Sequence, residues 1–469
     1  MLYFCISTVL LILGYFVYGA FAENVFGASS DRKTSAVKYN DNLDFVSLPV
    51  WKIFLIQFLN IAGLGPVFGA ILGAVYGPVC LLWIVFGSIF AGGVHDYMTG
   101  MFSVRFKGCT MDYLVGKVIS KHFSVLFMIF LVIILILVGA VFALNPAKML
   151  ANITGFDYFL CAGLIFGYYF LATLLPIDKI IGRFYPIFAL LLIVVTFSLL
   201  VCLFKLDHAW FAQPSFSNLH PSKLPIFPLM FITVACGAIS GFHATQSPIM
   251  ARCISDEKQG RLVFYGAMIL EGFIALVWAT LGIAFYQNQD LFCSAVSKLG
   301  QGGVIMEISK AFLGSLGAKF AVLSVIVLAI TSGDTAFRSA RLTLASFLKI
   351  NQHDIKKRLL LSFLVLGAGV MFIFVNITTL WMYFAWANQT LATISLWAIS
   401  IYLRRKKKFY WITLLPAMFM TSAVVSYIAF EKIGFNLPLN AAKILGIVVA
   451  AILFAIFLLF SKKRKIKSL

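Results

Sequence analysis

The chain has 469 residues, of which 62% are hydrophobic and only 12% are charged. No soluble domain buries that much apolar surface, so a soluble enzyme or binding module is excluded and the chain is an all-α polytopic membrane protein. A formal net charge of +20 would suit a nucleic-acid partner, but its distribution along the chain answers to membrane topology instead, and no nucleic acid is expected.

Thirteen stretches are long and apolar enough to span a bilayer, at about 2–22, 53–75, 79–101, 122–144, 156–175, 185–204, 225–249, 262–285, 316–336, 359–378, 380–403, 409–430 and 442–460. The first contains Ala20-Phe21-Ala22, which resembles a signal-peptidase site. It lacks a basic segment in front and is long enough to span, so it is read as an uncleaved helix. The longest segments between spans, 23–52 and 286–315, are too short for a separate catalytic domain, which leaves residues 1–469 as one transmembrane domain.

The second stretch is interrupted by Asn60-Ile61-Ala62-Gly63-Leu64-Gly65-Pro66. Backbone that leaves the helical ladder inside hydrocarbon has no water to bond and persists where it lines a cavity. Unwound carbonyls there suit a cation, and the N–H groups opening the next half-helix suit an anion, with Pro66 fitted to such a start. Gln57 stands one turn before Asn60. The third stretch closes on His95-Asp96. The seventh carries a second interruption, Ala235-Cys236-Gly237-Ala238-Ile239-Ser240-Gly241-Phe242-His243, followed by Thr245, Gln246 and Ser247. Glu271 lies within the eighth, and Thr331-Ser332-Gly333-Asp334-Thr335 ends the ninth.

Ionisable residues inside spans are functional candidates by default. His243, whose titration range suits proton coupling, Glu271, Asp334 and Asp96 are therefore the proton-coupling candidates. Each has a structural alternative. Asp96 and Asp334 can pair with Arg105, Arg338 or Arg341, Glu271 can bond a facing Ser or Thr, and His243 can be a neutral structural histidine. The eight cysteines are scattered without a C-x-x-C pair, so neither a disulfide framework nor a zinc site is expected.

When loops are assigned alternately to two sides, most of the 37 Lys+Arg fall on one of them. That side holds Arg32 to Lys52, Arg105 to Lys121, Arg252 to Arg261, Arg338 to Arg358, Arg404 to Lys408 and the tail Lys462 to Lys467. It is cytoplasmic by the positive-inside rule, with the N-terminus outside and the C-terminus inside. With the first helix and the last two set aside, ten remain, and the first and sixth of these are the interrupted ones. This is the helix order of the LeuT-type fold, two five-helix repeats inverted in the membrane, here 51–204 and 225–403. The extra elements are the N-terminal helix 1–22 and a C-terminal pair over 409–461. Lys52 opens the first interrupted helix on the basic side and Pro225 opens the second on the other, as inversion requires. Two unrelated packing helices are the alternative, because Gly65, Gly69, Gly73 and Gly77 also form a small-residue face.

Five separated motifs resemble the carbon starvation protein A (CstA) family of bacterial inner-membrane transporters. They are Asn60 to Pro66, Phe90-Ala91-Gly92-Gly93-Val94-His95-Asp96-Tyr97, Ala235 to Pro248, Thr331 to Arg341, and Trp386-Ala387-Asn388-Gln389-Thr390-Leu391-Ala392. The resemblance spans about residues 23–430 and implies uptake of small carbon sources during nutrient limitation, with peptides and pyruvate as the usual substrates. Many members carry histidine where this chain has Ile56 or Gln57.

The resulting expectation is a secondary transporter, not an enzyme, importing a small carboxylate or short peptide by alternating access. Substrate would meet Asn60, Gly63, Gly65, Gly237, Ser240, Gly241, His243, Gln246, Asn388 and Gln389. No cofactor is expected. The coupling ion is a proton, or sodium held by Thr331 and Ser332 by analogy with LeuT-type transporters. A passive channel or a nutrient-sensing receptor is the competing reading.

Overall fold

A segment crossing hydrocarbon must satisfy its own backbone polar groups, and a helix does so without a partner strand. The computed structural model describes residues 2–40, 45–174, 177–205, 216–286, 288–350 and 354–461, with side chains left aside at 173–185 and at Ala235. Among the described residues the elements are helical and no strand occurs. Among the described residues, nine helices combine the length and hydropathy needed to cross: Leu2–Phe26, Val79–Arg105, Lys121–Thr154, Pro186–Phe204, Arg261–Phe285, Gln289–Phe347, Ile355–Phe374, Trp411–Phe430 and Leu439–Phe460. A pair bent by 57°, Val50–Ile61 and Gly65–Ala74, raises the number to ten if it is one span.

Three of the expected spans stand outside that set, each for its own reason. Tyr158–Leu174 is apolar but has only 17 residues. The segment expected over 225–249 is divided into Ile226–Met230, Phe231–Thr233, Ala235–Gly237 and His243–Ala251. Ile377–Arg405 has 29 residues but buries Asn388, Gln389, Thr393, Ser395 and Ser400, so its polarity is aimed inward.

Residues 289–315 lie between two expected spans and add structure of their own. They are largely helical, continuous with Gln289–Phe347 and broken only at Gly300 (φ 66°) and Gly314 (φ 70°), where left-handed backbone suits glycine. The basic tail Lys462 to Lys467 and the last residue of the expected span 156–175 lie outside the described residues.

Burial separates the core from the rim. In both Val79–Arg105 and Arg261–Phe285, 78% of the most apolar stretch is buried, against 17% in Leu439–Phe460. The two broken helices pack against the former pair, so the interruptions sit at the centre of the protein. The first helix is fastened at its basic end, where Gly27 (φ 71°) forms a left-handed C-cap. Arg105 donates from Nη2 to Gly27 O at 2.6 Å and from Nη1 to Phe26 O at 3.3 Å. Lys408 donates to Val25 O at 3.0 Å and also to Phe26 O. Buried Glu257 grips Arg105 with both oxygens, at 3.0 Å each, and accepts from Ser29 N at 3.1 Å.

Candidate functional site

The two interruptions touch. The first helix ends at Ile61, and Ala62 leaves helical geometry at φ −72°, ψ 60°. Gly63 N then turns back to Ile61 O at 2.7 Å before the chain restarts at Gly65-Pro66. A Cβ placed on Gly65 would lie 2.1 Å from Cys236 Cβ, so only glycine lets the breaks meet this closely.

Groups released from the second helix are bonded by side chains from two neighbouring helices. Ser88 Oγ donates to Gly237 O at 3.0 Å, and Gln389 Nε2 to Ile239 O at 2.7 Å. Asn388 Oδ1 accepts Phe242 N at 2.7 Å, its backbone carbonyl accepts Gly241 N at 3.2 Å, and its amide contacts Ser240 Oγ at 2.9 Å. Gly241 is packed tightly against the same helix, since a Cβ there would meet Asn388 O and Ala392 N at 2.4 Å. Asn388 and Gln389 thus satisfy the unwound backbone in this conformation, the accounting that a break in hydrocarbon demands.

Immediately after this break stands a buried tetrad. His243 Nδ1 is 2.7 Å from Asp96 Oδ2, and His95 Nδ1 is 2.8 Å from Asp96 Oδ1. An ionised carboxylate only accepts, so Asp96 fixes both rings with Nδ1–H as donor. The far nitrogen of His243, Nε2, lies 3.3 Å from Glu271 Oε2, within ion-pair reach but not aligned as a hydrogen bond. All four side chains are fully buried. They come from three elements: Gly93–Arg105, the half-helix His243–Ala251, and Ala267–Phe285. Three of the four proton-coupling candidates are therefore neighbours.

The alternative pairing of Asp96 with Arg105 is not found, because Arg105 is turned toward Glu257 and the first helix. Glu271 likewise faces His243 rather than a Ser or Thr. Asp334, the fourth candidate, sits elsewhere and pairs with Arg338 at 3.5 Å. His95 joins the site although the sequence does not single it out. Adjacent positions on a helix do not face each other, and nothing in sequence spacing says that both rings reach one carboxylate.

Around the first break, Ser332 Oγ lies 3.4 Å from both Leu59 O and Asn60 O, while Thr331 Oγ1 turns back to Leu328 O at 2.9 Å. Gly63 approaches Ser332 and Phe142. The Gln57 and Asn60 side chains are fully buried and make no hydrogen bond. Gln246 donates to Thr245 Oγ1 at 2.9 Å. No three His, Cys, Asp or Glu side chains among the described residues converge as a metal ion would require. In the tetrad the contacts run between members in a chain, rather than toward a common point.

Cavities open on either side of this layer. One of about 860 Å3 is bordered by Lys107 to Lys121 and Arg252, with Thr245 and Pro248 of the half-helix in its wall. The other, about 460 Å3, includes Tyr76, His220, Thr233, Trp381 and Glu431.

The sequence matches the family described as carbon starvation protein CstA over residues 1–162, 145–298 and 287–427. The chain belongs to the CstA family. An uncharacterized membrane protein of Haemophilus influenzae is 42% identical over 351 residues, 63% of this chain and 94% of its own. The peptide transporter CstA of Escherichia coli K12 is 24% identical across 88% of this chain and 78% of its own. The pyruvate/proton symporter BtsT of the same organism is 26% identical, covering 58% and 47%. A solved structure of the Eremococcus coleocola manganese transporter superposes with a TM-score of 0.60 at 12% identity, covering 89% of this chain and 97% of that one. At that identity the likeness is one of fold. Membership in the CstA family, whose curated relatives are named as transporters, makes the chain a membrane transporter rather than an enzyme.

Proposed function

We propose that this CstA-family member is a proton-coupled secondary transporter that imports a small carbon source, a pyruvate-like carboxylate or a short peptide, across the bacterial inner membrane. The observation that carries the reading is the Asp96–His243–Glu271 contact chain. It ties the half-helix after the second break to two neighbouring helices through an imidazole, a side chain that can take up or release a proton at its ring nitrogen. Two carboxylates and two imidazoles are net neutral when the imidazoles hold two protons beyond their neutral forms. A buried cluster disfavours any other net charge. Loss of a proton from the His243–Glu271 contact leaves uncompensated negative charge there and loosens the half-helix, which couples protonation to rearrangement of the break.

The proposed architecture is the LeuT-type one: thirteen crossings, repeats at 51–204 and 225–403 inverted about the breaks, the N-terminus outside and the C-terminus in the cytoplasm. Substrate would lie against Asn60, Gly63, Gly65, Gly237, Ser240 and Gly241, with Gln246, Asn388 and Gln389 beside it. A carboxylate would be held by the N–H groups opening the half-helices. The buried amides of Gln57 and Asn60 support a polar occupant, because unbonded amides in this setting are otherwise destabilising. Sodium coupling is the second reading, supported by the approach of Ser332 Oγ to two carbonyls at the first break, with Thr331 adjacent.

Purified protein in proteoliposomes, offered labelled pyruvate, dipeptides and tripeptides under separate pH and sodium gradients, tests this. Accumulation driven by an inward proton gradient is expected. Accumulation driven only by sodium moves coupling to Ser332, and equilibration without accumulation in any gradient makes the protein a passive channel.

A further inference from the structure

The cavity on the basic side has a charge pattern that the tetrad does not use. Lys107, Lys117, Lys121 and Arg252 all border it, and Asp112 is the one carboxylate among its described lining residues. No described carboxylate lies within ion-pair distance of any of the four cations. Arg252 is held in place by Gly108 O, 3.3 Å from Nε and 3.1 Å from Nη2. Lys117 lies over the Phe106 ring at 4.6 Å and reaches the Tyr113 hydroxyl at 3.3 Å. Burial pushes the Asp112 carboxyl above its ordinary range, which weakens the one carboxylate among the described lining residues. The positive-inside rule accounts for cations on this face of the membrane but not for their gathering around a cavity. A cleft lined by one sign of charge and walled by low-dielectric protein concentrates the opposite ion. Thr245 places the half-helix that carries His243 in the same wall.

We propose that this cytoplasmic vestibule is a binding station for small anions, separate from the centre of the membrane, and that it takes carboxylates or inorganic phosphate from the cytosol. Anion bound there leans on the half-helix and holds it, so accumulated anion slows further transport from the inside. Electrostatic binding at the four cations does not depend on the coupling ion or the imported substrate.

The test is lysine footprinting of the whole protein in phosphatidylcholine nanodiscs with an amine-acylating reagent. Pyruvate, inorganic phosphate or chloride is compared at constant ionic strength. Acylation of Lys117 and Lys121 should slow about tenfold with pyruvate or phosphate, while the exposed Lys356 and Lys407 keep their rates. Protection by phosphate alone supports the station and removes carboxylates as its occupants. Arg252→Gln should raise the anion concentration for half-protection about tenfold. Lys117→Gln, which removes no backbone contact, should do the same for Lys121. Equal slowing at all lysines, no slowing at any, or protection that disappears in Glu271→Gln would each overturn the proposal. The last outcome would mean that the membrane-centre site was being read.

Discussion

Between His243 Nε2 and Glu271 Oε2, 3.3 Å apart, one proton serves whichever partner is charged: imidazolium facing carboxylate, or neutral ring facing carboxylic acid. Asp96 is the residue that keeps this nitrogen free, because it holds the other ring nitrogen as a donor at 2.7 Å. In Asp96→Asn one of the two imidazoles meets an NH2 group instead of an acceptor and must change tautomer. Proton-driven uptake should fall about 10- to 100-fold, the usual effect of losing an orienting partner. The protein should also lose on the order of 3 kcal/mol of stability from breaking a fully buried pair. Uptake at wild-type rate with an unaltered pH profile would show that Asp96 does not orient His243. Glu271→Gln separates coupling from binding: substrate exchange across the membrane should persist while accumulation in an imposed pH gradient disappears. A retained gradient response would remove Glu271 from the proton path.

At the scale of elements, the breaks are held open by what surrounds them. Gly65→Ala would drive a methyl group into Cys236 Cβ, a backbone-adjacent atom that cannot rotate away. Uptake should be abolished, and Cys236→Gly in the same chain should restore part of it while Cys236→Ala should not. Failure of Cys236→Gly to restore anything would place the effect of Gly65 elsewhere than at this contact. The positions of both breaks were legible in the sequence, because glycine, serine and proline clusters in apolar stretches have few other uses. The acidic candidates were legible too, as charged residues where lipid should be. What could not be read was company. That Asp96, His243 and Glu271 meet depends on how three helices rotate about their axes, and hydrophobic periodicity is weak in helices that are buried all round. The polarity of Asn388 and Gln389 announced a site, but not that both side chains would be bonded to the unwound backbone. The helical course of 289–314 was not legible, because its glycines weaken the local helical preference.

For the molecule as a whole, the first helix is bound to the bundle by a cluster that joins several elements. Glu257, on the segment after His243–Ala251, takes Arg105 with two hydrogen bonds. Arg105 in turn donates to the carbonyls of Phe26 and Gly27, and Lys408 bonds the same helix end after leaving Ile377–Arg405. Because Glu257 is 3% exposed, it is far from a surface pair of negligible worth. Glu257→Gln leaves Arg105 and Arg32 facing each other without a counter-charge. The expected loss is on the order of 3 kcal/mol, read as a lower melting midpoint of the purified protein and faster tryptic cleavage between Gly27 and Lys52. The charge-swapped pair Arg105→Glu with Glu257→Arg should fail to restore stability. A carboxylate at position 105 would face the carbonyls of Phe26 and Gly27, which need donors. Full recovery by the swap would mean that those carbonyl contacts contribute nothing and that the cluster is a simple ion pair. Persistent instability in the swap, with partial recovery in Glu257→Asp, would establish that the helix end and the carboxylate are held as one unit.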